Sequence, residues 1–148
     1  MKKVLGVASG GGHVVELVRL QPAFDGAELS YMSTMDSYAS MFKGFRYYTV
    51  PDFSQWNAYK IPYAALKMYK IMAKIKPDVV FTTGAAPGVL ALFIGRLMGA
   101  KTIWIEASCH TDKISISGKL CKLFAGRVYT QWPQLASSKI IYSGNVIQ

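Results

Sequence analysis

Acidic side chains are scarce in this 148-residue chain: eight Asp and Glu stand against 17 Lys and Arg, a formal charge of +9. That imbalance disfavours cationic ligands and points to anionic ones: phosphates, diphosphates, acidic lipid headgroups or nucleic acid. Cysteine is nearly missing. Cys109 and Cys121 form no CxxC pair and share no zinc-type spacing with the two histidines, so no metal site is expected and both read as reduced thiols. Long hydrophobic runs are missing too. The longest, residues 87–97, falls short of the roughly 18–20 residues a spanning helix needs and carries Arg96. Lys2 and Lys3 are basic, but the apolar run behind them stops at Ser9, too early for a signal peptide. The expectation is a protein at the cytoplasmic face of the membrane, held there peripherally. No repeat, low-complexity stretch or linker divides the chain, so one domain, 1–148, is expected.

What is present is apolar and basic together. The chain is 51% hydrophobic, with a mean hydropathy of +0.21. Such a composition fills a core, and with the positive charge it favours a membrane surface over nucleic acid. Apolar strand-like runs occur at 4–8, 29–32, 46–50, 79–82, 102–105, 127–130 and 140–142. Helix-like stretches alternate with them at 13–21, 35–42, 58–76, 89–98 and 115–124, with 83–88 read as an exit turn. The pattern predicts an α/β fold, a parallel sheet with helices on both faces. In 58–76, Ile61, Ala65, Met68, Met72 and Ile75 share one face, and Lys60, Lys67, Lys70 and Lys74 another, with Tyr63 between them. That is an amphipathic helix, either a solvated surface helix or one whose lysines and Tyr63 touch lipid headgroups.

Ligands of open α/β sheets bind beyond the carboxyl ends of the strands. The polar residues cluster there. Ser9-Gly10-Gly11-Gly12-His13 follows the first strand and opens a helix, a geometry that brings backbone N–H groups up to an anion. Thr83 and Gly84 follow the fourth strand, Glu106, Ser108 and His110 the fifth, Gln131 and Trp132 the sixth. His13 can bind a phosphate or act as a base. Glu106, in an apolar neighbourhood, is either a second candidate base or the partner of a lysine or backbone amide. The dinucleotide fingerprint fails, because Val15 stands where its third glycine belongs, and no GxxxxGK[ST] loop occurs.

Five motifs occur in order: Ser9-Gly10-Gly11-Gly12-His13, Thr82-Thr83-Gly84-Ala85, Ile105-Glu106-Ala107-Ser108-Cys109, Ile114-Ser115-Ile116-Ser117-Gly118-Lys119 and Gln131-Trp132-Pro133. Together they resemble the membrane-anchor subunit of the eukaryotic two-component transferase that adds the second N-acetylglucosamine to dolichol-diphosphate-linked sugar. They resemble equally its bacterial relatives, the accessory subunits of two-component glycosyltransferases of capsule and exopolysaccharide assembly. The eukaryotic members begin with a transmembrane segment, whereas this sequence opens at the first strand, which favours the bacterial branch.

The resemblance implies a Rossmann-like domain equivalent to the N-terminal, acceptor-side half of a GT-B glycosyltransferase. It implies a polyprenyl-diphosphate-linked sugar as acceptor, a separate donor-binding subunit as partner, an inverting transfer and no cofactor. On that basis Ser9, Gly10, Gly11, Gly12, Thr83, Gly84 and Ser108 are expected to hold the diphosphate, and His13 or Glu106 to serve as base. Lys60, Lys67, Lys70, Lys74 and Tyr63 are expected at an anionic membrane surface. The alternative is a stand-alone nucleotide- or dinucleotide-binding α/β enzyme; a third reading is a scaffold that only recruits a catalytic partner.

Overall fold

The computed structural model describes residues 2–53, 55–106 and 112–143. Seven strands form one sheet: β1 (Lys3–Val7), β2 (Glu28–Ser33), β3 (Arg46–Thr49), β4 (Val79–Thr82), β5 (Lys101–Ile105), β6 (Arg127–Thr130) and β7 (Ile141–Tyr142). Their order is β3-β2-β1-β4-β5-β6-β7, and every pairing is parallel. The helices are α1 (Gly12–Arg19), α2 (Ile61–Ile75), α3 (Ala85–Leu97) and α4 (Ile116–Cys121).

The chain builds outward from β1 to β2 and β3, then returns through α2 to place β4 on the other side of β1. Parallel crossovers are right-handed, so this reversal puts α1 on one face of the sheet and α2, α3 and α4 on the other. Two cores follow. On the α1 face Val14 and Leu17 pack with Tyr31, Phe42 and Phe81. On the other face Met68, Met72 and Leu92 pack with Leu5, Val80 and Trp104. Strands covered on both faces lose the polar–apolar alternation, which is why they read as continuous apolar runs. Gly6 in β1 lets the α1-side core close on the strand: a Cβ there would lie 2.8 Å from the Phe81 ring. Phe81 in turn stacks on Phe24 at 4.3 Å.

Several boundaries differ from the sequence expectation, each for a local reason. The stretch 58–76 is two elements, a 3-10 turn over Gln55–Lys60 and then α2, whose first turn accommodates Pro62. Its buried stripe is Ala64, Met68, Met72 and Ile75, and Ile61 and Ala65 are only part-buried. Likewise 35–42 is a 3-10 segment, Asp36–Phe42, and α1 stops at Arg19 before a 3-10 turn that runs through Pro22. α4 is shorter than 115–124, and the Ser115 hydroxyl caps it by accepting from the Gly118 amide at 3.0 Å.

The larger difference is at 83–88, where a turn was expected and α3 already begins at Ala85. Pro87 lies in its first turn, where a missing N–H costs nothing. Gly88 lets the helix settle on β4: a Cβ there would fall 2.2 Å from the Thr82 hydroxyl oxygen and 3.0 Å from the Thr82 Cβ. Gly88→Ala is therefore expected to lower unfolding free energy by about 1–2 kcal/mol, even after the roughly 1 kcal/mol that alanine gains in a helix. A shifted urea midpoint with unchanged slope checks it.

Candidate functional site

The order in which strands are added reverses between β1 and β4, and the crevice beyond their carboxyl ends is the natural ligand position of such a fold. Here the two strand exits are tied to each other by His13 and Thr83. The His13 Nδ1–H donates to the Thr83 carbonyl at 3.0 Å, and the Thr83 hydroxyl donates to the His13 carbonyl at 2.6 Å. A carbonyl only accepts, so in the neutral ring Nδ1 carries the proton and Nε2 keeps its lone pair. Gly84 makes room for this contact. Its φ is 136°, and a Cβ would lie 2.8 Å from His13 Cε1. Beneath it the Thr82 hydroxyl donates to the Val7 carbonyl at 2.7 Å and accepts from the Gly84 amide at 3.2 Å.

The glycine turn has a left-handed residue at Gly11, φ 56°. Its amide donates to the Tyr38 hydroxyl at 3.0 Å, and the Thr34 hydroxyl donates to the Ser9 carbonyl. Three of the donors expected for a diphosphate, the Gly11 and Gly84 amides and the Thr83 hydroxyl, thus have partners inside the protein. Gly11 and Gly12 are exposed, and apart from their chain neighbours and the backbone of α1 itself no atom of the described residues lies within 4 Å of where their Cβ atoms would sit. The space above the turn is open. Ser108 and His110 lie outside the described residues.

Glu106 leaves β5 with its side chain turned inward, 1% exposed. Oε2 accepts from the Trp104 indole at 3.2 Å and lies so close to Gly118 that a Cβ there would come within 2.1 Å. Gln131, 3% exposed beyond β6, donates to the Glu106 carbonyl at 3.0 Å and to Glu16 Oε1 at 3.3 Å. Neither Glu16 nor Tyr38 was expected at the site. Glu16 carried a readable signal, a lone acid among Val14, Val15, Leu17 and Val18. Tyr38 carried none, because it arrives from an element after β2. Among the described residues no three His, Cys, Asp or Glu side chains are grouped as a metal ion would require.

On the far side of the sheet, a groove of about 520 Å³ runs between α2, α3 and α4, lined by Ile61, Ala86, Leu90, Phe93, Leu120 and Phe124 among others. Ala86 brings one end of it next to Gly84. Large apolar side chains on and beside the same helices face solvent: Tyr59, Tyr63, Leu66 and Tyr69 at α2, Leu97 (73% exposed) on α3, Ile116 (85%) and Leu123 (80%) at α4. Lys60, Lys70 and Lys74 are exposed beside them, and Lys67 is part-buried. No helix among the described residues is long and apolar enough to cross a membrane.

This sheet, with its polar tips at a topological switch point, is the Rossmann-like N-terminal half of a GT-B glycosyltransferase fold. MurG of Acinetobacter baumannii superposes with a TM-score of 0.81 at 19% identity, over 98% of this chain and 46% of that one. The chain therefore spans about half the length of that protein. It belongs to the Alg14-like family: the family described as oligosaccharide biosynthesis protein Alg14 like matches residues 55–146. The UDP-N-acetylglucosamine transferase subunit ALG14 of Rattus norvegicus is 25% identical, over 95% of this chain and 81% of the rat protein. A UDP-N-acetylglucosamine–N-acetylmuramyl-(pentapeptide) pyrophosphoryl-undecaprenol N-acetylglucosamine transferase of Bacillus thuringiensis is also 25% identical, over 99% of this chain but 46% of its own length.

Cys121 packs in the α4-side core, where burial first and the nearby Glu106 charge second push its thiol up to about 12. The unfolded thiol ionises nearer 9. The unfolded chain therefore loses this proton first, and stability falls as pH rises from about 9 toward 12. In a Cys109→Ser background at pH 8, a disulfide reagent is expected to label Cys121 only after denaturant unfolds the chain.

Proposed function

We propose that this chain is the acceptor-binding, membrane-associating subunit of a heteromeric inverting glycosyltransferase. The partner supplies the nucleotide-sugar; this subunit presents a polyprenyl-diphosphate-linked saccharide, in bacterial polysaccharide synthesis such as capsule or exopolysaccharide assembly. The observation that carries the reading is the His13 ring at the switch point, held through Nδ1 so that Nε2 is the free basic atom. An inverting transfer needs one group to take the acceptor hydroxyl proton as the sugar arrives, and an imidazole of fixed tautomer can take it at Nε2. Glu106 is turned away, so the base is assigned to His13 and Glu106 supports the β5 exit.

The diphosphate would lie in the open space over Gly11 and Gly12, at the start of α1, with Ser9 and Gly10 below and Thr83 and Gly84 on the far wall. The groove beside Gly84 would receive the first part of the hydrocarbon chain. The exposed apolar side chains around α2, α3 and α4, with Lys60, Lys67, Lys70, Lys74 and Tyr63, would meet an anionic cytoplasmic membrane surface. With the donor held across the cleft by a second protein, most of the rate would come from positioning two substrates.

His13→Gln in the reconstituted pair is expected to lower transfer 10²–10⁴-fold with folding retained, the usual contribution of a general base. Undiminished transfer removes His13 from the chemistry. Tight binding of a nucleotide-sugar by the isolated chain would instead favour a stand-alone enzyme. Reversing Lys67, Lys70 and Lys74 to Glu is expected to weaken binding to phosphatidylglycerol-containing vesicles more than a hundredfold, at about 1 kcal/mol for each lysine charge near the surface. Unchanged vesicle binding moves the membrane face elsewhere.

A further inference from the structure

Beyond its apolar packing, helix α1 reaches the strand ends by hydrogen bonds from two of its side chains. The first is His13, whose backbone and ring both bond Thr83 at the tip of β4. The second lies one turn further on. Glu16 is an acid only 6% exposed, and its Oε1 accepts from the Gln131 amide at 3.3 Å. Gln131 stands beyond β6, three strand spacings from β1 and so about 14 Å away across the sheet. The same nitrogen donates to the Glu106 carbonyl at the tip of β5 at 3.0 Å. One neutral amide therefore joins α1 to the ends of β5 and β6. The chemistry suits an amide: its two N–H groups serve a carboxylate and a carbonyl at once, and it brings no charge of its own.

We propose that Gln131 is a positioning residue for His13. Its amide fixes the second turn of α1 against β5 and β6, so that the first turn presents the imidazole in the one place where Nδ1 reaches the Thr83 carbonyl. Without that tie α1 pivots about its start, the Nδ1–H bond lengthens, and the ring is no longer confined to the tautomer that leaves Nε2 basic. The proposal rests on the assigned function only for what the held ring is used for; the holding itself is a property of the isolated chain. It also gives Glu16 a task, since a buried acid in a two-turn helix is costly unless something binds it.

The test reads the ring directly, without substrate or partner. In a His110→Gln background, long-range ¹H–¹⁵N correlation of the neutral imidazole reports which nitrogen of His13 is protonated. Wild type is expected to show Nδ1–H. Gln131→Met keeps length and apolar fit but has no donor, and Glu16→Leu cuts the same tie from the helix side; both are expected to shift His13 to a mixture dominated by Nε2–H. Glu16→Gln keeps the acceptor and is expected to keep Nδ1–H. Thr102→Val removes an unrelated buried hydroxyl, the one that accepts from the Gly126 amide at 2.8 Å, and is expected to lower stability without moving His13.

A His13 signature unchanged in folded Gln131→Met and Glu16→Leu overturns the proposal. So does an equal change in Thr102→Val, or loss of folding in both tie-cutting variants, since the network would then be a folding element and not a positioning one. In the pair, the matching expectation is a fall in kcat for Gln131→Met with KM little changed. An altered ring with unaltered transfer would overturn the role of His13 as base and leave the positioning intact.

Discussion

Everything at the candidate site depends on the pair of hydrogen bonds between His13 and Thr83. They join the exits of two strands that are neighbours in space but 70 residues apart in the chain. Such bonds contribute about 0.5–1.5 kcal/mol each, a minor share of the stability of a domain. Their effect on geometry is larger. The reversal of strand order at β1 and β4 leaves a crevice whose two walls belong to different crossovers, and direct contacts across it carry the β1–β4 pairing one step beyond the strands. Gly84 shows how closely the walls meet, since a single methyl group there would enter the imidazole.

Most of the fold was legible because an all-parallel sheet writes itself plainly. The central strands, buried on both faces, are short unbroken apolar runs, and the spacing of strand-like segments located all seven to within a few residues, the part-exposed edge strands β3 and β7 included. The errors lay where tertiary contact outweighs local preference. Ala85, Pro87 and Gly88 read as a turn by composition, yet they are the first turn of α3, because Gly88 allows the helix to sit on Thr82. Pro62 split one long helix candidate into a 3-10 turn and α2.

The site was legible in part, and the division has a physical cause. Residues that follow strands in the chain, such as His13, Thr83, Gly84 and Glu106, announce themselves because every parallel strand delivers its exit to the same edge. What sequence order does not carry is direction. Glu106 and Gln131 both follow strands, but their side chains turn inward to Trp104 and Glu16. Tyr38 comes from a 3-10 segment and fills the donor of Gly11, which sequence alone leaves available for an anion. A polar residue at a strand tip is thus equally able to face a ligand or to brace the wall behind it.

That distinction bears on how the two sides of the domain cooperate. The polar tips and the apolar groove are built by opposite faces of the sheet, and they come together at the start of α3, where Gly84 touches His13 and Ala86 lines the groove. A ligand with a charged head and a hydrocarbon tail fits such a junction, because each part meets its own kind of surface within a few residues. A compact polar ligand would leave the groove and the exposed side chains of Leu97, Ile116 and Leu123 without a purpose. The excess of lysine beside this surface argues the same way, since a purely hydrophobic partner would gain nothing from it. The proposed acceptor, a lipid-borne anion at a membrane, would satisfy both requirements together.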